Sequence, residues 1–283
     1  MSECYGAYFI KNEDVLNNAE FMDKIINEGV SLYEVIRVID KVPLFLDRHL
    51  ERLNNSAALI NKKIWMDKEE LKNKLYKLIN INNYSEGNIK IVFNNLCNDL
   101  VEENNFYAFF IESHYPKEED YKNGVGTVFC FMERSNPNAK IINKELREYS
   151  NKLIEENNVY EAILVDKQGN ITEGSRSNIF MVKGDRLITA PLEDVLPGIT
   201  RTIIIELCKA EKIRFEEEKV NYKDVKELDA AFISGTSPKI LPINKISDFK
   251  LSSSTNYIVQ NIMRAYNINI DNYINNNKQV KTY

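Results

Sequence analysis

The segment whose residue types most clearly indicate a binding site is a Pro-Gly step at the start of an apolar helix. It consists of Leu196-Pro197-Gly198-Ile199-Thr200-Arg201 and continues into the apolar-periodic residues 202–207. The first N–H groups of a helix lack intrahelical partners and lie at the positive end of its dipole. The N–H groups of Ile199 and Thr200, with the Thr200 hydroxyl, therefore form a candidate phosphate site. Taken alone, the pattern favours an ordinary helix start.

Two other segments place small polar residues at the ends of predicted strands. In Ile171-Thr172-Glu173-Gly174-Ser175-Arg176-Ser177-Asn178, Glu173 is either a surface acid or a buried acid with a dedicated partner. The spacing alone favours the surface. Ile233-Ser234-Gly235-Thr236-Ser237-Pro238 ends a strand in hydroxyl residues and predicts either a second anion-binding turn or a structural turn. Each signal is weak by itself, so their combination matters more than any one of them.

Composition excludes several classes of protein. The 283 residues contain 37 Lys plus Arg against 42 Asp plus Glu, which disfavours a nucleic-acid binder. No apolar run approaches the ~20 residues of a membrane span, and no secretory signal is visible, so we expect a cytoplasmic protein. Four dispersed cysteines and only two histidines disfavour a zinc site, and the absence of GxSxG disfavours a serine hydrolase. Gly124-Val125-Gly126 leads into an apolar strand, so it is a poor dinucleotide loop.

Both hydrophobic periods alternate along the chain, which predicts a mixed α+β (α/β) fold. Asp47 is the expected N-cap of a helix over 49–60, and Asp67 that of a helix over 68–79. The polar, Pro- and Gly-containing stretch near the middle predicts a linker at 117–126, between a smaller domain at 1–116 and a larger one at 127–283. Further helices are predicted at 143–157 and 198–212, and strands at 31–40, 88–93, 106–111, 127–131, 162–166, 178–183, 186–189 and 230–234.

In their residues and in their order along the chain, these segments resemble those of the fold-type IV pyridoxal-phosphate enzymes. The similarity rests on ITEGSRSNIF, LITAPLEDVLPGITR and AFISGTSPKILPI in the second half, and on LYEVIRVIDKVPLFLDRHLERLNNSA, with its HLxRL pattern, in the first. It covers about residues 29 to 245. That family contains branched-chain aminotransferases, D-amino-acid aminotransferases and aminodeoxychorismate lyase. The resemblance implies their two-domain fold, the cofactor pyridoxal 5'-phosphate and a homodimer.

The resemblance also implies individual roles. Lys140 matches the Schiff-base lysine, ahead of Glu161-Ala162-Ile163-Leu164, whereas its competitor Lys144 falls inside a predicted helix. Glu173 matches the acid that faces the pyridine nitrogen, where a carboxylate keeps the ring protonated as an electron sink. Arg52 matches the phosphate-binding arginine, and Arg48, four residues earlier on the same helical face, is the alternative. The remaining cofactor-binding candidates are Ser177, Asn178, Ile199, Thr200, Gly235 and Thr236.

The features that define substrate specificity are mixed. The glycine-rich stretch before the first motif is reduced to Glu28-Gly29-Val30-Ser31, and Glu145 replaces the tyrosine of branched-chain enzymes. The Arg-x-His trap of D-amino-acid enzymes, expected near Ile91 to Leu96, is absent. Tyr33 and Arg37 share one strand face by alternation, and they match positions of the D-amino-acid and branched-chain groups respectively. The substrate-binding candidates are Tyr33, Arg37, Thr236, Ser237 and Arg176, the last of which could instead be a structural cation.

The leading functional hypothesis is an aminotransferase that uses a small amino acid and a 2-oxo acid, with neither a metal nor a nucleic-acid or membrane partner. The runner-up is aminodeoxychorismate lyase, because both reactions begin with the same cofactor residues and differ in the fate of the substrate carbanion. The third hypothesis, a catalytically inactive scaffold, is disfavoured by the complete set of Lys140, Glu173 and Arg52.

Overall fold

The computed structural model describes residues 2–23, 29–98 and 101–278. Glu28 of the shortened glycine stretch lies outside them. The chain forms two compact units. The first unit comprises Met1–His114, Ala139–Ile142 and Ile270–Tyr283, and the second comprises Tyr115–Asn138 and Asn143–Asn269, in each case as far as the residues are described.

The first unit is an antiparallel sheet with two helices on one face. Its strands follow the order β2-β1-β6-β5-β3-β4. On β3, even-numbered residues such as Leu32 and Ile36 pack against both helices, whereas Tyr33 belongs to a second apolar cluster on the other face. The elements are β1 (Tyr8–Lys11), β2 (Asp14–Asn17), β3 (Val30–Ile39), β4 (Val42–Pro43), α1 (Leu46–Leu59), α2 (Lys68–Asn82), β5 (Gly87–Asn98) and β6 (Val101–Ile111).

Helix α1 begins one turn earlier than its sequence predicts. Its N-cap is Phe45, whose φ of 51° is left-handed, and no side chain caps the helix. The prediction of Asp47 as the N-cap is therefore wrong. Asp47 lies in the first turn and binds the ammonium groups of Lys68 and Lys72 at 2.7 and 3.0 Å instead. The prediction for α2 is confirmed, because the Asp67 side chain accepts the N–H of Glu70.

The second unit is a larger mixed sheet with helices around it. Its strands follow the order β12-β11-β10-β14-β15-β7-β8-β9-β13, with β16 beside β15. Its elements are α3 (Glu118–Asn123), β7 (Val125–Cys130), α4 (Lys144–Asn157), β8 (Glu161–Val165), β9 (Asn170–Gly174), β10 (Asn178–Lys183), β11 (Arg186–Thr189), α5 (Ile199–Ala210), β12 (Arg214–Glu217), β13 (Val220–Asn221), β14 (Ala230–Gly235), β15 (Lys239–Ile246), β16 (Phe249–Lys250) and α6 (Tyr257–Lys278), the last extending into the first unit from Ile270.

One backbone pairing closes part of this sheet into a ring. Asn178 on β10 pairs with Glu173 on β9, so that β10, β14, β15, β7, β8 and β9 form a closed circuit. Two predicted site residues are therefore direct partners in the sheet. Gly174 permits the tight connection between them, because a Cβ at that position would lie 2.1 Å from Ser177 Oγ.

The compact units differ from the predicted contiguous domains in three places. The predicted linker contains α3 and the start of β7. Residues 139–142, which include Lys140, group with the first unit, as do the residues of α6 from Ile270 on. The short segment 139–142 joins the first unit because its backbone bonds to β3, through a bridge between Leu32 and Ile141.

Two negative findings concern the described residues alone. No helix among them is both long and apolar enough to cross a membrane. Within the same ranges, no group of three or more His, Cys, Asp or Glu side chains is placed to hold a metal ion.

Candidate active site

In the first unit, a buried carboxylate holds the predicted phosphate arginine. Glu34 on β3 faces α1, where Arg52 donates through Nε to Oε1 at 2.7 Å and through Nη2 to Oε2 at 2.6 Å. The side chain of Glu34 is fully buried, and that of Arg52 is 8% exposed. A two-point contact of this kind fixes the plane of the guanidinium. The predicted phosphate ligand is therefore an oriented group on α1.

The electrostatics of this cluster keep Glu34 ionised. Burial alone would raise its pKa, but the charge and hydrogen bonds of Arg52, together with His49, lower it from 4.5 to about 2. His49 Nδ1 lies 2.8 Å from Glu34 Oε2. Burial lowers the pKa of His49, and the contact with Glu34 offsets only part of that effect. We therefore assign a neutral imidazole that donates its Nδ1–H to the carboxylate.

Lys140 is held by its backbone beside β3 and α1. The Tyr33 N–H donates to the Lys140 carbonyl, and the Lys140 N–H donates to Ser56 Oγ, each at 3.2 Å. The ammonium Nζ lies 4.7 Å from the centroid of the Tyr33 ring. Ser56 follows Arg52 by one helical turn. The first unit thus brings together the candidate cofactor lysine, the tyrosine proposed to bind substrate and the helix that holds the phosphate arginine.

The other substrate-binding candidate of this unit lies on the same face as Tyr33. Arg37 lies four residues after Tyr33 on β3. By strand alternation, both side chains face away from α1 and α2. Lys90 on β5 lies opposite Val35 on this face and approaches the Tyr33 ring at 5.4 Å. The Lys90 ammonium donates to both carboxylate oxygens of Glu3, at 2.6 and 2.9 Å.

In the second unit, the predicted pyridine-facing acid is buried among donors. Glu173 Oε1 accepts the Nε–H of Arg134 at 2.6 Å, and Oε2 accepts the backbone N–H of Leu196 at 3.2 Å. Asn178 Nδ2 donates to the same Oε2 at a long 3.4 Å. The Glu173 side chain is 3% exposed. The alternative of a surface acid is therefore wrong, and Glu173 has the dedicated partner that the other alternative requires.

Asn178 links this acid to the predicted phosphate site. Its Nδ2 also donates to the Leu196 carbonyl at 3.0 Å, immediately before the Pro-Gly step. A Cβ at Gly198 would lie 2.0 Å from Asn178 Oδ1, so any larger residue there would displace the Asn178 side chain. Asn178 therefore fixes the approach to α5, while Glu173 binds the same segment through Leu196.

Helix α5 begins at Ile199, where the predicted anion site requires a helix start. The N-cap is Gly198, no side-chain group caps the helix, and Ile199 and Thr200 are its first two residues. The Thr200 hydroxyl lies 3.3 Å from the Tyr266 hydroxyl, and both residues are buried. Backbone N–H groups at a helix start, with a hydroxyl beside them, suit a phosphate.

The remaining predicted residues differ in their surroundings. Gly235 pairs with Lys239 across a half-buried turn that contains Thr236 and Ser237. Ser177 is buried and donates to Glu161 Oε2 at 3.2 Å. Arg176 is exposed, and its Nη2 donates to Asn151 of α4. This last contact agrees with the structural alternative for Arg176.

Sequence reasoning missed three residues that hold these groups. Arg134 and Glu34 each complete a buried ion pair, and Glu161 accepts from Ser175 and Ser177. Burial raises the pKa of Glu161, and the donors offset only part of that effect. A signal existed for Glu34, because strand alternation places it on the same face as Leu32 and Ile36. No comparable pattern marks Arg134, which lies in an irregular segment after β7.

Comparisons with known proteins show the family and the fold. The family model described as Amino-transferase class IV matches residues 31–246. A D-alanine aminotransferase of Bacillus licheniformis is 28% identical over 80% of this chain and 82% of its own. An aminodeoxychorismate lyase of Bacillus subtilis is 25% identical over 87% of each. The structure of a Thermobaculum terrenum branched-chain aminotransferase in its PLP-form superposes with a TM-score of 0.83 at 20% identity, over 96% of both chains.

The chain belongs to the class IV aminotransferase family. This confirms the family that the sequence motifs predicted. The structural match confirms the predicted mixed α/β fold, that of fold-type IV enzymes. The relatives differ in reaction and in substrate, so family membership defines a class of chemistry and leaves the individual reaction open.

Proposed function

We propose that the chain is a pyridoxal-phosphate-dependent aminotransferase that moves an amino group between a small amino acid and a 2-oxo acid. The candidate donors are a branched-chain amino acid or a D-amino acid. The observation that carries the proposal is the fixed position of Lys140, whose backbone bonds to β3 and α1 while its Nζ lies over the Tyr33 ring.

The residues present fit this cofactor. A phosphate requires positive donors. The first unit contains the oriented guanidinium of Arg52, and the second unit contains the start of α5, which no side chain caps. A pyridine nitrogen requires an acid, and Glu173 is a buried carboxylate in an ion pair. When bound, pyridoxal phosphate supplies an aldehyde that condenses with amines and a protonated ring that withdraws electrons from the substrate carbon.

Each residue then has a defined task. Lys140 would hold the cofactor through Nζ, and its amine would serve as the base that moves the proton at the substrate Cα. Glu173 keeps a proton at the ring nitrogen. Arg52, Ile199 and Thr200 bind the phosphate, and Ser177, Asn178, Gly235 and Thr236 complete the set of cofactor-binding residues.

Substrate binding is assigned to the residues on the Tyr33 face and to the turn after β14. Tyr33 and Arg37 are the leading candidates for the substrate carboxylate, because a tyrosine hydroxyl and a guanidinium can both donate to it. Thr236 and Ser237 could add donors from their turn. Arg176 is the weakest member of this set because of its exposed contact with Asn151.

An optical titration tests the proposal. Purified protein mixed with pyridoxal phosphate should develop a visible band, and Lys140→Ala should abolish it. Lys144→Ala is the matched control, since Lys144 is an exposed lysine nearby in sequence and should leave the band unchanged. A band that survives in Lys140→Ala contradicts the assignment of Lys140. Absence of any band in the native protein favours the inactive scaffold.

The lyase is the second candidate, supported by the similarity to the Bacillus subtilis enzyme over 87% of the chain. A panel of L- and D-amino acids with pyruvate and 2-oxoglutarate should reveal transamination. Pyruvate release from aminodeoxychorismate without an added 2-oxo acid would instead establish the lyase.

We also propose a cytoplasmic homodimer. Support for the compartment comes from Cys130 and Cys208, which are buried free thiols of the kind that persist under reducing conditions. Support for the dimer comes from the resemblance to fold-type IV enzymes. Sedimentation at assay concentration should give twice the chain mass of 32.9 kDa, and a species of 32.9 kDa would contradict the dimer.

A further inference from the structure

Arg134 is the cation of the second unit that forms an ion pair with Glu173. It lies between β7 and α4 in an irregular segment, and its side chain is 16% exposed. Its Nε donates to Glu173 Oε1 at 2.6 Å, and its Nη2 donates to the Ser175 carbonyl at 2.8 Å. The guanidinium therefore binds both the carboxylate of Glu173 and the backbone two residues further on.

This geometry gives the acid a fixed orientation. Arg134 binds Oε1, whereas Leu196 and Asn178 donate to Oε2, so the two oxygens are held from different parts of the chain. A buried carboxylate with a guanidinium partner also retains its negative charge more readily than one with neutral donors alone. Arg134 therefore fixes the direction of the Glu173 carboxylate and places a positive charge against its Oε1.

We propose that Arg134 is a positioning residue that keeps the shared proton on the cofactor's ring nitrogen rather than on Glu173. This inference rests on the proposed function. When a ring nitrogen and a carboxylate share one proton, either can hold it. The guanidinium touches the carboxylate directly, so its positive charge acts most strongly there and disfavours protonation of Glu173. The ring consequently keeps its positive charge and its capacity to withdraw electrons.

The neighbouring residue provides a matched control. Glu133 forms a separate ion pair with Lys167, at 2.7 Å, and the Lys167 side chain is 82% exposed. Glu133→Gln therefore removes an ion pair of the same segment without touching Glu173. If the effect of Arg134 comes only from anchoring the segment, the two variants should behave alike.

The experiment is nitrogen NMR of the protein loaded with pyridoxal phosphate labelled with ¹⁵N in the ring. The native protein and Glu133→Gln should both give a resonance typical of a protonated ring nitrogen. Arg134→Gln should move the resonance toward that of an unprotonated pyridine, and Arg134→Lys should restore most of the native position. An Arg134→Gln resonance at the native position overturns the inference.

A second measurement keeps the inference testable if Arg134→Gln fails to hold the cofactor. On the cofactor-free protein, thermal unfolding of Arg134→Gln, Glu173→Gln and the double variant forms a double-mutant cycle. A lowered melting temperature in Arg134→Gln that Glu173→Gln largely restores supports the partnership, and additive losses overturn it. A native protein that takes up no cofactor overturns the proposed function together with the ring-nitrogen role. A loaded native protein with an unmoved Arg134→Gln resonance overturns this inference alone.

Discussion

The two units each contain a buried glutamate–arginine pair, and the pairs differ in which member is proposed to meet the cofactor. In the first unit Glu34 holds Arg52 through two hydrogen bonds, and Arg52 is the proposed phosphate ligand. In the second unit Arg134 holds Glu173, and Glu173 is the proposed ring partner. A buried charge requires a partner, whichever member does the chemistry. The comparison shows that the partner must be identified before the function of either ion is understood.

The pairs also differ in their other donors. Glu34 accepts from two side chains of one helix, Arg52 and His49, whereas Glu173 also accepts from the backbone of Leu196 and from Asn178. Loss of Arg134 would remove the guanidinium from Glu173, while the contacts with the Leu196 N–H and the Asn178 amide remain. Loss of Glu34 would leave Arg52 buried without the carboxylate that now neutralises it. We therefore expect changes in the first pair to act chiefly on stability, whereas changes in the second pair act on catalysis as well.

The largest expected effect follows from Glu173→Gln. A neutral amide cannot keep the ring nitrogen protonated, so kcat should fall by about 10²–10⁴-fold, the range typical of losing an acid–base group. Steady-state kinetics and a cofactor titration together measure the effect. Cofactor binding should persist, because Arg52 and the start of α5 are unchanged. A variant with native kcat would show that Glu173 does not serve the ring.

The second effect concerns Glu34→Gln, which should reduce the free energy of unfolding by about 3–5 kcal/mol. The reason is that removal of one member of a buried ion pair leaves the other charge without compensation. Urea denaturation at neutral pH measures this loss. Glu51→Gln is a suitable control, since Glu51 is exposed on the same helix that carries Arg52. Equal stability of the two variants would contradict the importance of the pair.

The same pair predicts a pH dependence. The folded-state pKa of Glu34 is lowered from 4.5 to about 2, so its contribution is fully present above pH 4.5 and is lost as the pH falls through about 2. The difference corresponds to roughly 3 kcal/mol. Unfolding free energies from pH 5 down to pH 2 should fall steeply in the native protein and less so in Glu34→Gln. Parallel profiles would contradict the ionised state of Glu34.

The third effect separates the two faces of β3. Glu34 faces α1, whereas Arg37 lies on the Tyr33 face, so their substitutions should have different consequences. Arg37→Ala should lower kcat/KM for the amino donor, by an amount that corresponds to about 2–3 kcal/mol of transition-state stabilisation. This is the order expected for losing a charged hydrogen-bond partner, and cofactor binding should survive. Unchanged kinetics toward the best donor would remove Arg37 from the site.

The smallest effect concerns Glu161, a buried acid whose hydrogen-bond donors are serine hydroxyls and a backbone N–H rather than an arginine. Its pKa is raised, so its folded form favours the proton and the native protein loses stability as the pH rises above 4.5. Glu161→Gln should remove this loss, at the expense of about 1 kcal/mol for an altered Ser177 hydrogen bond. From pH 5 to pH 8, the stability of Glu161→Gln relative to native should increase. A constant difference would contradict a raised pKa.

Local patterns predicted much of the fold, and long-range pairing accounts for most of what was missed. Asp67 caps α2 through a side-chain contact three residues away, as its position before the helix predicted. The start of α1 was missed because Phe45 adopts a left-handed conformation and Asp47 binds lysines of α2. The helix α3 was missed because its charged residues are equally typical of a linker.

The candidate site shows the same division. The motifs identify one member of each buried pair, Arg52 and Glu173. Their partners are 18 and 39 residues away, and no local pattern joins them. Alternation along β3 could have indicated Glu34 as a buried acid. Arg134 required the tertiary structure, because only the closed circuit of strands and the irregular segment after β7 bring it to Glu173.

The most direct test of the central claim is to identify the lysine that binds the cofactor. Protein loaded with pyridoxal phosphate is reduced with borohydride, digested and analysed by mass spectrometry. We predict a phosphopyridoxyl group on the peptide that contains Lys140, absent from Lys140→Ala and retained in Lys144→Ala. Modification at another lysine, with Lys140 unmodified, would contradict the account.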